Sequence, residues 1–146
     1  MIRQAEMGDL DSIVNIENRV FDEPWTRDQI SYELKQLSGK MVNVIEKNDI
    51  IGYIMIQKVQ NEAHILNIAI DIPYQCRGFG KKLLKYTLAE LGKETDIFLE
   101  VRESNLQARK LYRDFNFEDI DLRERYYSDG ENALVMHRGV ETYGMV

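Results

Sequence analysis

A glycine-bearing loop carries the clearest chemical signal in the sequence. It reads Gln75, Cys76, Arg77, Gly78, Phe79, Gly80 and Lys81, after the apolar run 68–70 and ahead of a helical stripe. Backbone N–H groups at a helix N-terminus lack intrahelical partners, and the helix dipole is positive there. Glycines that let the chain bend closely can therefore present these groups to a pyrophosphate. Glycine spacing alone is equally consistent with a plain strand-to-helix turn.

Two other nucleotide-binding motifs fit these residues less well. A P-loop needs four residues between its first glycine and a Gly-Lys-Ser/Thr ending, but Gly78 and Gly80 are one residue apart and Lys82 replaces the hydroxyl residue. An RNA-recognition motif shares Arg-Gly-Phe-Gly but continues as a strand, whereas Leu83 and Leu84 belong to a helical stripe. We therefore do not predict either motif.

Hydrophobic periodicity predicts the elements that position this loop. Helices are expected at 10–20, from Thr26 with a stripe that reaches Leu37, at 81–91 and at 106–115. Strands are expected at 41–45, 50–59, 63–71, 97–101, 117–127 and 132–138. The first three strands form an antiparallel meander, and the strand–helix–strand order that follows implies a βαβ crossover. The class is mixed α/β.

Length and composition indicate one soluble domain. The 146 residues are 44% hydrophobic and 30% charged, which is enough apolar material for one core. We expect residues 1–138 to form that domain and 139–146 to be a flexible tail. The chain has one cysteine, Cys76, and two histidines, His64 and His137, which offer no cluster of metal ligands, so no metal is expected. No signal peptide or membrane span is apparent, and a cytoplasmic location is expected.

The loop resembles the Gln/Arg-x-x-Gly-x-Gly/Ala acetyl-CoA signature of the GNAT acetyltransferase superfamily. Further segments resemble the bacterial ribosomal-protein-alanine N-acetyltransferases in the same order: 22–26, 67–70, 99–102 with Ser104 and Asn105, Leu111 with Tyr112, 125–127 and 133–136. The resemblance covers residues 1 to about 138. It implies a mostly antiparallel sheet with a central splayed pair of parallel strands and flanking helices.

The resemblance also implies the roles of individual residues. The pantetheine arm of acetyl-CoA would pair with the backbone of Ile68, Ala69 and Ile70, and its pyrophosphate would rest on 76–81. Asn105 would contact the cofactor from the last helix. Glu100 would be the general base and Tyr112 the general acid. Trp25, Tyr126 and Tyr127 would contact the acceptor.

Each of these residues also has a purely structural interpretation. Glu100 could pair with Arg102 on a solvated strand face without any catalytic role, and Tyr112 could be a packed aromatic residue. Trp25 could anchor the second helix, and both tyrosines could be cross-strand residues. His64 and His137 are expected to be structural, and a nucleophilic Cys76 is not favoured.

The resemblance implies acetyl transfer to the N-terminal amine of a protein, and the expected acceptor is ribosomal protein eighteen of the small subunit. An α-amine has a pKa of ~7.7–8.0 against ~10.4 for lysine, so it is deprotonated more easily. Lys and Arg number 19 against 25 Asp and Glu, a net charge of −6 that favours a basic partner over nucleic acid. Glu17, Asp22, Glu23, Asp119 and Asp121 are candidates for an acidic docking surface. Another amine acceptor, either lysine or a polyamine, and a noncatalytic acyl-CoA-binding module are the alternatives.

Overall fold

A seven-stranded sheet forms the centre of the structure, a computed structural model that describes residues 1–140. Its strands are β1 (Ile2–Gln4), β2 (Lys40–Lys47), β3 (Asp49–Val59), β4 (Glu62–Ile70), β5 (Asp96–Arg102), β6 (Glu118–Arg123) and β7 (Ala133–Arg138). The spatial order is β1, β2, β3, β4, β5, β7, β6, and only β4 and β5 run parallel. The predicted mixed α/β class with a mostly antiparallel sheet and one parallel pair is confirmed.

Four helices cover the two faces of the sheet. They are α1 (Leu10–Val20), α2 (Arg27–Leu34), α3 (Phe79–Leu91) and α4 (Leu106–Asp114). On one face, α1 and α2 bury Ile13, Ile16 and Ile30 in a core shared with Val44, Tyr53 and Met55. On the other, α3 and α4 bury Leu83, Leu84, Leu88 and Tyr112 against Ile54, Ile65 and Leu99. Because apolar residues of β3 and β4 point alternately to both cores, the central strands are buried on both sides.

Helix α2 begins as the sequence predicts but ends earlier. The Thr26 Oγ1 accepts the N–H of Gln29 at 3.2 Å, and the Gln29 Oε1 accepts the N–H of Thr26 at 2.8 Å, which is a complete capping box. The predicted stripe that included Leu37 is wrong, because extended backbone at Lys35 ends the helix and Leu37 is exposed. The Lys40 Nζ lies 2.9 Å from the Glu33 carboxylate and holds the following segment back against the helix.

The parallel strands β4 and β5 part halfway along their length. Their pairing runs from Glu62 opposite Asp96 to Ile65 opposite Leu99, although β4 continues to Ile70 and β5 to Arg102. At the same level, β4 has a bulge, since Met55 of β3 pairs with Asn67 and Ile56 pairs with Ile65, leaving Leu66 as an extra residue. A bulge bends its strand. The C-terminal halves of β4 and β5 therefore do not pair with each other, and the gap between them is called the cleft below.

Both ends of the chain differ from the sequence prediction. The short strand β1, which pairs with β2, was not predicted. The strand expected at 117–127 ends at Arg123, because the next residues form a loop in which Arg125 has a φ of 53° and donates its N–H to Asn132. Tyr126 and Tyr127 therefore lie in the β6–β7 loop and are not cross-strand residues. The predicted flexible tail lies outside the described residues from 141 onward.

Candidate active site

The glycine-bearing loop follows β4 through a short turn that a buried acid secures. The Asp71 carboxylate accepts hydrogen bonds from the N–H of Ile72 at 2.9 Å and from Nε and Nη2 of Arg19 at 3.0 and 2.8 Å. The Arg19 hydrogen bonds hold the pKa of Asp71 below its ordinary value. The end of β4 is thereby fixed to helix α1, so the loop has a defined starting point.

Left-handed backbone gives the loop a shape that is typical of anion-binding concavities. Cys76 has a φ of 59° and Gly78 a φ of 85°, and alternation of this kind turns successive N–H groups toward one side. The Lys82 N–H donates to the Gly78 carbonyl at 3.1 Å, the first such bond of α3. The N–H groups of Phe79, Gly80 and Lys81 precede that bond and lack partners within the helix.

Positive charge surrounds the same loop. Lys47 Nζ, Arg77 Cζ and Lys82 Nζ lie 5.7, 5.7 and 5.6 Å from the centre of the Phe79 ring. Arg77 is also 5.6 Å from the ring of Tyr74. These cations come from β2, the loop and α3, and they give the exposed loop a basic rim although the chain as a whole is acidic. The loop therefore combines the donors and the charge that a diphosphate requires.

Gly80 lies where the loop meets β4 and α4. A Cβ built on it would be 3.6 Å from Ile70 Cγ1 and 3.9 Å from Leu111 Cδ2, which are ordinary contacts. Gln107 of α4 donates to the sulfur of Cys76 at 3.0 Å, so the first turn of α4 touches the loop. The structure thus brings the predicted loop, the end of β4 and the start of α4 to one place.

Asn105 makes a capping hydrogen bond at the start of α4. Its Oδ1 accepts the N–H of Ala108 at 3.1 Å and so caps α4. That bond uses only the oxygen of the amide, and the residue is exposed. Asn105 can therefore cap the helix and still offer its Nδ2 to a ligand.

The part of β4 beyond its contact with β5 has backbone groups that face the cleft. The Asp71 N–H donates to the Ile51 carbonyl of β3 at 2.7 Å, so Asp71 points toward β3. Peptide groups alternate in direction along a strand, which turns those of Ala69 toward β3 and those of Ile68 and Ile70 toward the cleft. Gln75 Nε2 donates a hydrogen bond to the Ile70 carbonyl at 2.9 Å. Of the three residues expected to pair with pantetheine, Ile68 and Ile70 have the suitable direction.

Glu100 lies on β5 one residue past the point where the strands part. Because Ile97, Leu99 and Val101 are buried toward α3 and α4, Glu100 points to the opposite, open face of the sheet. Its Oε2 lies 2.5 Å from His64 Nε2 of β4, and its Oε1 is 3.7 Å from Arg123. The His64 hydrogen bond, opposed by burial, lowers the pKa of Glu100 below its ordinary value. Glu100 does not pair with Arg102, which instead binds Asp129 and Glu131 at 2.8 and 3.0 Å.

Two tyrosines on α4 and the β6–β7 loop keep their phenolic protons at neutral pH. Tyr112 of α4 is buried, and its ring centre is 5.7 Å from that of Phe117. Burial raises the pKa of Tyr112. Burial also raises the pKa of Tyr127 to about 12, and the charge of Glu100 contributes to that shift. Both phenols are therefore protonated at neutral pH and can donate.

The α1–α2 and β6–β7 loops lie on the side of the open face where the acceptor is expected, which is called the acceptor side below. Ser128 donates to Glu23, which joins the two loops across the open face. Tyr127 stacks on Arg102, with the Arg102 Cζ 4.1 Å from the ring centre, and its ring lies 5.1 Å from that of Tyr126. Tyr126 is exposed and available to a ligand.

Glu17 connects the acceptor side to β4. Its carboxylate accepts the Trp25 N–H at 2.9 Å, Asn67 Nδ2 at 2.7 Å and the hydroxyl of Tyr53. The expectation that Glu17 belongs to an acidic docking surface is wrong, because it is 1% exposed. Trp25 is half-buried against the α1–α2 core, so it both anchors the start of α2 and borders the acceptor loop.

Sequence reasoning missed the contact between His64 and Glu100, and the roles of Glu17 and Arg102. These four residues interact with partners far away in the sequence, and only strand register or helix packing brings the partners together. Among residues 1–140, no group of three or more His, Cys, Asp or Glu side chains could hold a metal ion. In the same range, no helix has the length and apolar character needed to cross a bilayer.

Comparison with known proteins gives consistent matches over most of the chain. The acetyltransferase (GNAT) family matches residues 10–117. A [ribosomal protein bS18]-alanine N-acetyltransferase of Haemophilus influenzae is 41% identical over 146 residues, covering 93% of this chain and 96% of that protein. The crystal structure of the Escherichia coli ribosomal-protein-S18-alanine N-acetyltransferase superposes with a TM-score of 0.90 at 30% identity, over 99% of this chain and 96% of that one. Ard1 from Thermoplasma volcanium gives 0.86 at 27% identity, over 97% and 98%.

Proposed function

The chain belongs to the GNAT acetyltransferase family, and we propose that it transfers acetyl from acetyl-CoA to the N-terminal alanine amine of ribosomal protein bS18. One structural observation carries the proposal. The parallel strands part after Ile65 and Leu99, and the next residue of β5 is a carboxylate that points to the open face. A thioester and an amine can meet there beside a proton acceptor.

The cofactor fits the groups that line the cleft. The diphosphate would accept hydrogen bonds from the N–H groups of Phe79, Gly80 and Lys81. Gln75, Arg77 and the other loop residues would form the rim of this binding site. The pantetheine amides would pair with the backbone of Ile68 and Ile70, as an added strand pairs with a sheet edge. Asn105 would bind from α4. Because Gly80 has no Cβ, the volume of one methyl group stays free beside Ile70 and Leu111, where the arm would pass.

Glu100 and Tyr112 would handle the protons of a direct transfer. The bound ammonium loses a proton toward Glu100, and the neutral nitrogen attacks the thioester carbonyl. A backbone N–H of β4 that faces the cleft would stabilise the oxyanion that forms. The attacking nitrogen then loses its second proton to solvent, and as the carbon–sulfur bond breaks the phenol of Tyr112 gives its proton to the thiolate and regains one from solvent. Cys76 has no part in this chemistry.

The acceptor would enter between the two loops that Glu23 and Ser128 join. Trp25, Tyr126 and Tyr127 would contact its first residues. Exposed Asp22, Glu23, Asp119 and Asp121 lie on the α1–α2 loop and β6, and they would attract a basic N-terminal segment. An enzyme with such a substrate would work in the cytoplasm, where the ribosome is.

The test is acetylation of two matched basic peptides. One begins with Ala-Arg and carries an internal lysine, and the other has the same sequence with a blocked N-terminus. We expect fragmentation mass spectrometry to locate acetyl only on the α-amine of the first peptide. Acetyl on lysine in either peptide, or on added spermidine, would assign a different acceptor class. Cofactor binding without transfer to any amine would indicate a noncatalytic module.

A further inference from the structure

One hydrogen bond joins the two loops on the acceptor side. Ser128 Oγ donates to Glu23 Oε2 at 2.5 Å, although the two residues are 105 positions apart in the sequence. Ser128 directly follows Tyr127, and Glu23 lies two residues ahead of Trp25, so the bond lies next to residues expected to contact the acceptor. Both bonded residues are exposed. An acceptor that enters between the loops therefore meets this bond.

Resting on the proposed function, we propose that Glu23 binds a basic side chain among the first four residues of the acceptor, and that it leaves Ser128 to do so. Glu23 is then a specificity-determining residue, because it selects the acceptor and touches none of the reacting atoms. The bond to Ser128 joins the loops while the acceptor is absent and is exchanged for an ion pair when the acceptor binds.

Glu23 differs from neighbouring acids in the kind of partner that it has. Asp129 and Glu131 of the β6–β7 loop both bind Arg102, at 2.8 and 3.0 Å. Glu17 is 1% exposed and accepts three hydrogen bonds inside the protein. Glu23 instead bonds to an uncharged hydroxyl, which leaves its negative charge uncompensated by that partner and open to solvent. A cation on an arriving peptide can therefore reach this carboxylate.

A guanidinium is a better partner for this carboxylate than a hydroxyl is. Arginine donates two parallel, charge-assisted hydrogen bonds to a carboxylate, which are stronger than bonds from a neutral donor. This geometry needs both carboxylate oxygens, and Ser128 bonds to Oε2. The bond to Ser128 must therefore break. Exposed Tyr126, two residues before Ser128, offers an aromatic surface on which the arginine stem can pack.

The bond to Ser128 is weak enough to be exchanged. One hydrogen bond between side chains changes an equilibrium by a factor of about 2 to 10. The loops are thus joined for most of the time in the free protein, and the acceptor loses that factor in apparent affinity. The ion pair that replaces the bond is covered by the acceptor, so it contributes more than a fully exposed pair does, a factor of about 5 to 30. The exchange is therefore favourable.

Two variants separate the charge of Glu23 from its bond to Ser128. In Glu23→Gln the amide oxygen still accepts the Ser128 hydroxyl, so the loops stay joined while the negative charge is lost. In Ser128→Ala the bond is lost and the charge stays. A bond that only stabilises the loops would make Ser128→Ala harmful, whereas the exchange predicts opposite effects of the two variants. Asp22→Asn removes the same charge from the adjacent position and is the matched control for long-range attraction.

The assay uses four acceptor peptides that begin with alanine and carry either one arginine, at position 2, 3 or 4, or none. For the arginine position that the wild type prefers, we expect kcat/KM to fall about 5- to 30-fold in Glu23→Gln and to rise about 2- to 10-fold in Ser128→Ala. The KM for acetyl-CoA should not change. The peptide without arginine should lose less than about threefold in Glu23→Gln, and Asp22→Asn should affect the three arginine peptides alike.

The outcomes separate this proposal from the proposed function. Equal losses with all four peptides in Glu23→Gln, or a loss in Ser128→Ala as large as that in Glu23→Gln, would overturn the exchange. Wild-type enzyme that acetylates all four peptides equally would overturn recognition by Glu23 alone. Wild-type enzyme that acetylates none of them would overturn the proposed function, and this proposal with it.

Discussion

Replacement of Gly80 by alanine separates cofactor binding from stability. The new Cβ would lie 3.6 and 3.9 Å from its two nearest side-chain atoms, and the φ of Gly80 is outside the left-handed region, so alanine fits the folded protein. Alanine favours a helix over glycine by up to about 1 kcal/mol. We therefore expect the melting temperature to stay the same or rise by up to about 4 °C.

The same methyl group should interfere with the cofactor. It enters the space between Ile70 and Leu111, next to the N–H groups that would hold the diphosphate. Loss of one hydrogen bond to a charged oxygen costs about 1.5–3 kcal/mol, which corresponds to a rise of about 10- to 150-fold in the KM for acetyl-CoA. The KM for the acceptor peptide should change much less.

Gly92 provides the opposite control. It ends α3 with φ and ψ of 83° and 165°, a conformation that other residues avoid at a cost of about 1–3 kcal/mol, and nothing lies within 4 Å of its missing Cβ. Gly92→Ala should lower the melting temperature by about 2–12 °C and leave the KM for acetyl-CoA unchanged. If Gly80→Ala raises that KM less than threefold, the cofactor does not pass between α3, β4 and α4.

Three further variants test separate parts of the site. Glu100→Gln should bind coenzyme A normally, measured by calorimetry, while kcat falls at least 100-fold at neutral pH; unchanged kcat when chemistry limits the rate would remove Glu100 as base. Arg19 lowers the pKa of Asp71, so the ionised carboxylate stabilises the fold above its ordinary pKa, and this stabilisation is lost as the pH falls through the pKa of the folded state. Arg19→Met should therefore flatten the decline in the free energy of unfolding below about pH 4. An identical decline in the variant would contradict the pairing. Glu17→Gln places an amide N–H against three donors and should cost about 1–3 kcal/mol in urea denaturation, whereas no loss would show that the carboxylate is not needed.

The parts of the site that local sequence determines could be predicted. The loop at 75–81 depends on two glycines between a strand and a helix, and the capping box at Thr26 depends on residues three apart. The end of β6 could not be predicted, because residues 117–127 alternate like a strand while the turn at Arg125 is fixed by Asn132 across the loop.

Contacts between distant residues required the register of the sheet. His64 and Glu100 are 36 positions apart, and their hydrogen bond depends on how β4 pairs with β5. The bulge at Leu66 leaves no clear mark in an apolar run, although it bends β4 away from β5. The sequence predicts a surface position for Glu17, because a single acidic residue on an amphipathic helix usually is exposed, and only the three donors around its carboxylate explain its burial.

A crystal structure with bound acetyl-CoA tests the central claim most directly. We expect the thioester between the parted halves of β4 and β5 beside Glu100, the pantetheine amides bonded to the backbone of Ile68 and Ile70, and the diphosphate on the N–H groups that open α3. A cofactor that lies elsewhere, with its sulfur far from Glu100 and its diphosphate off the loop, would contradict the account.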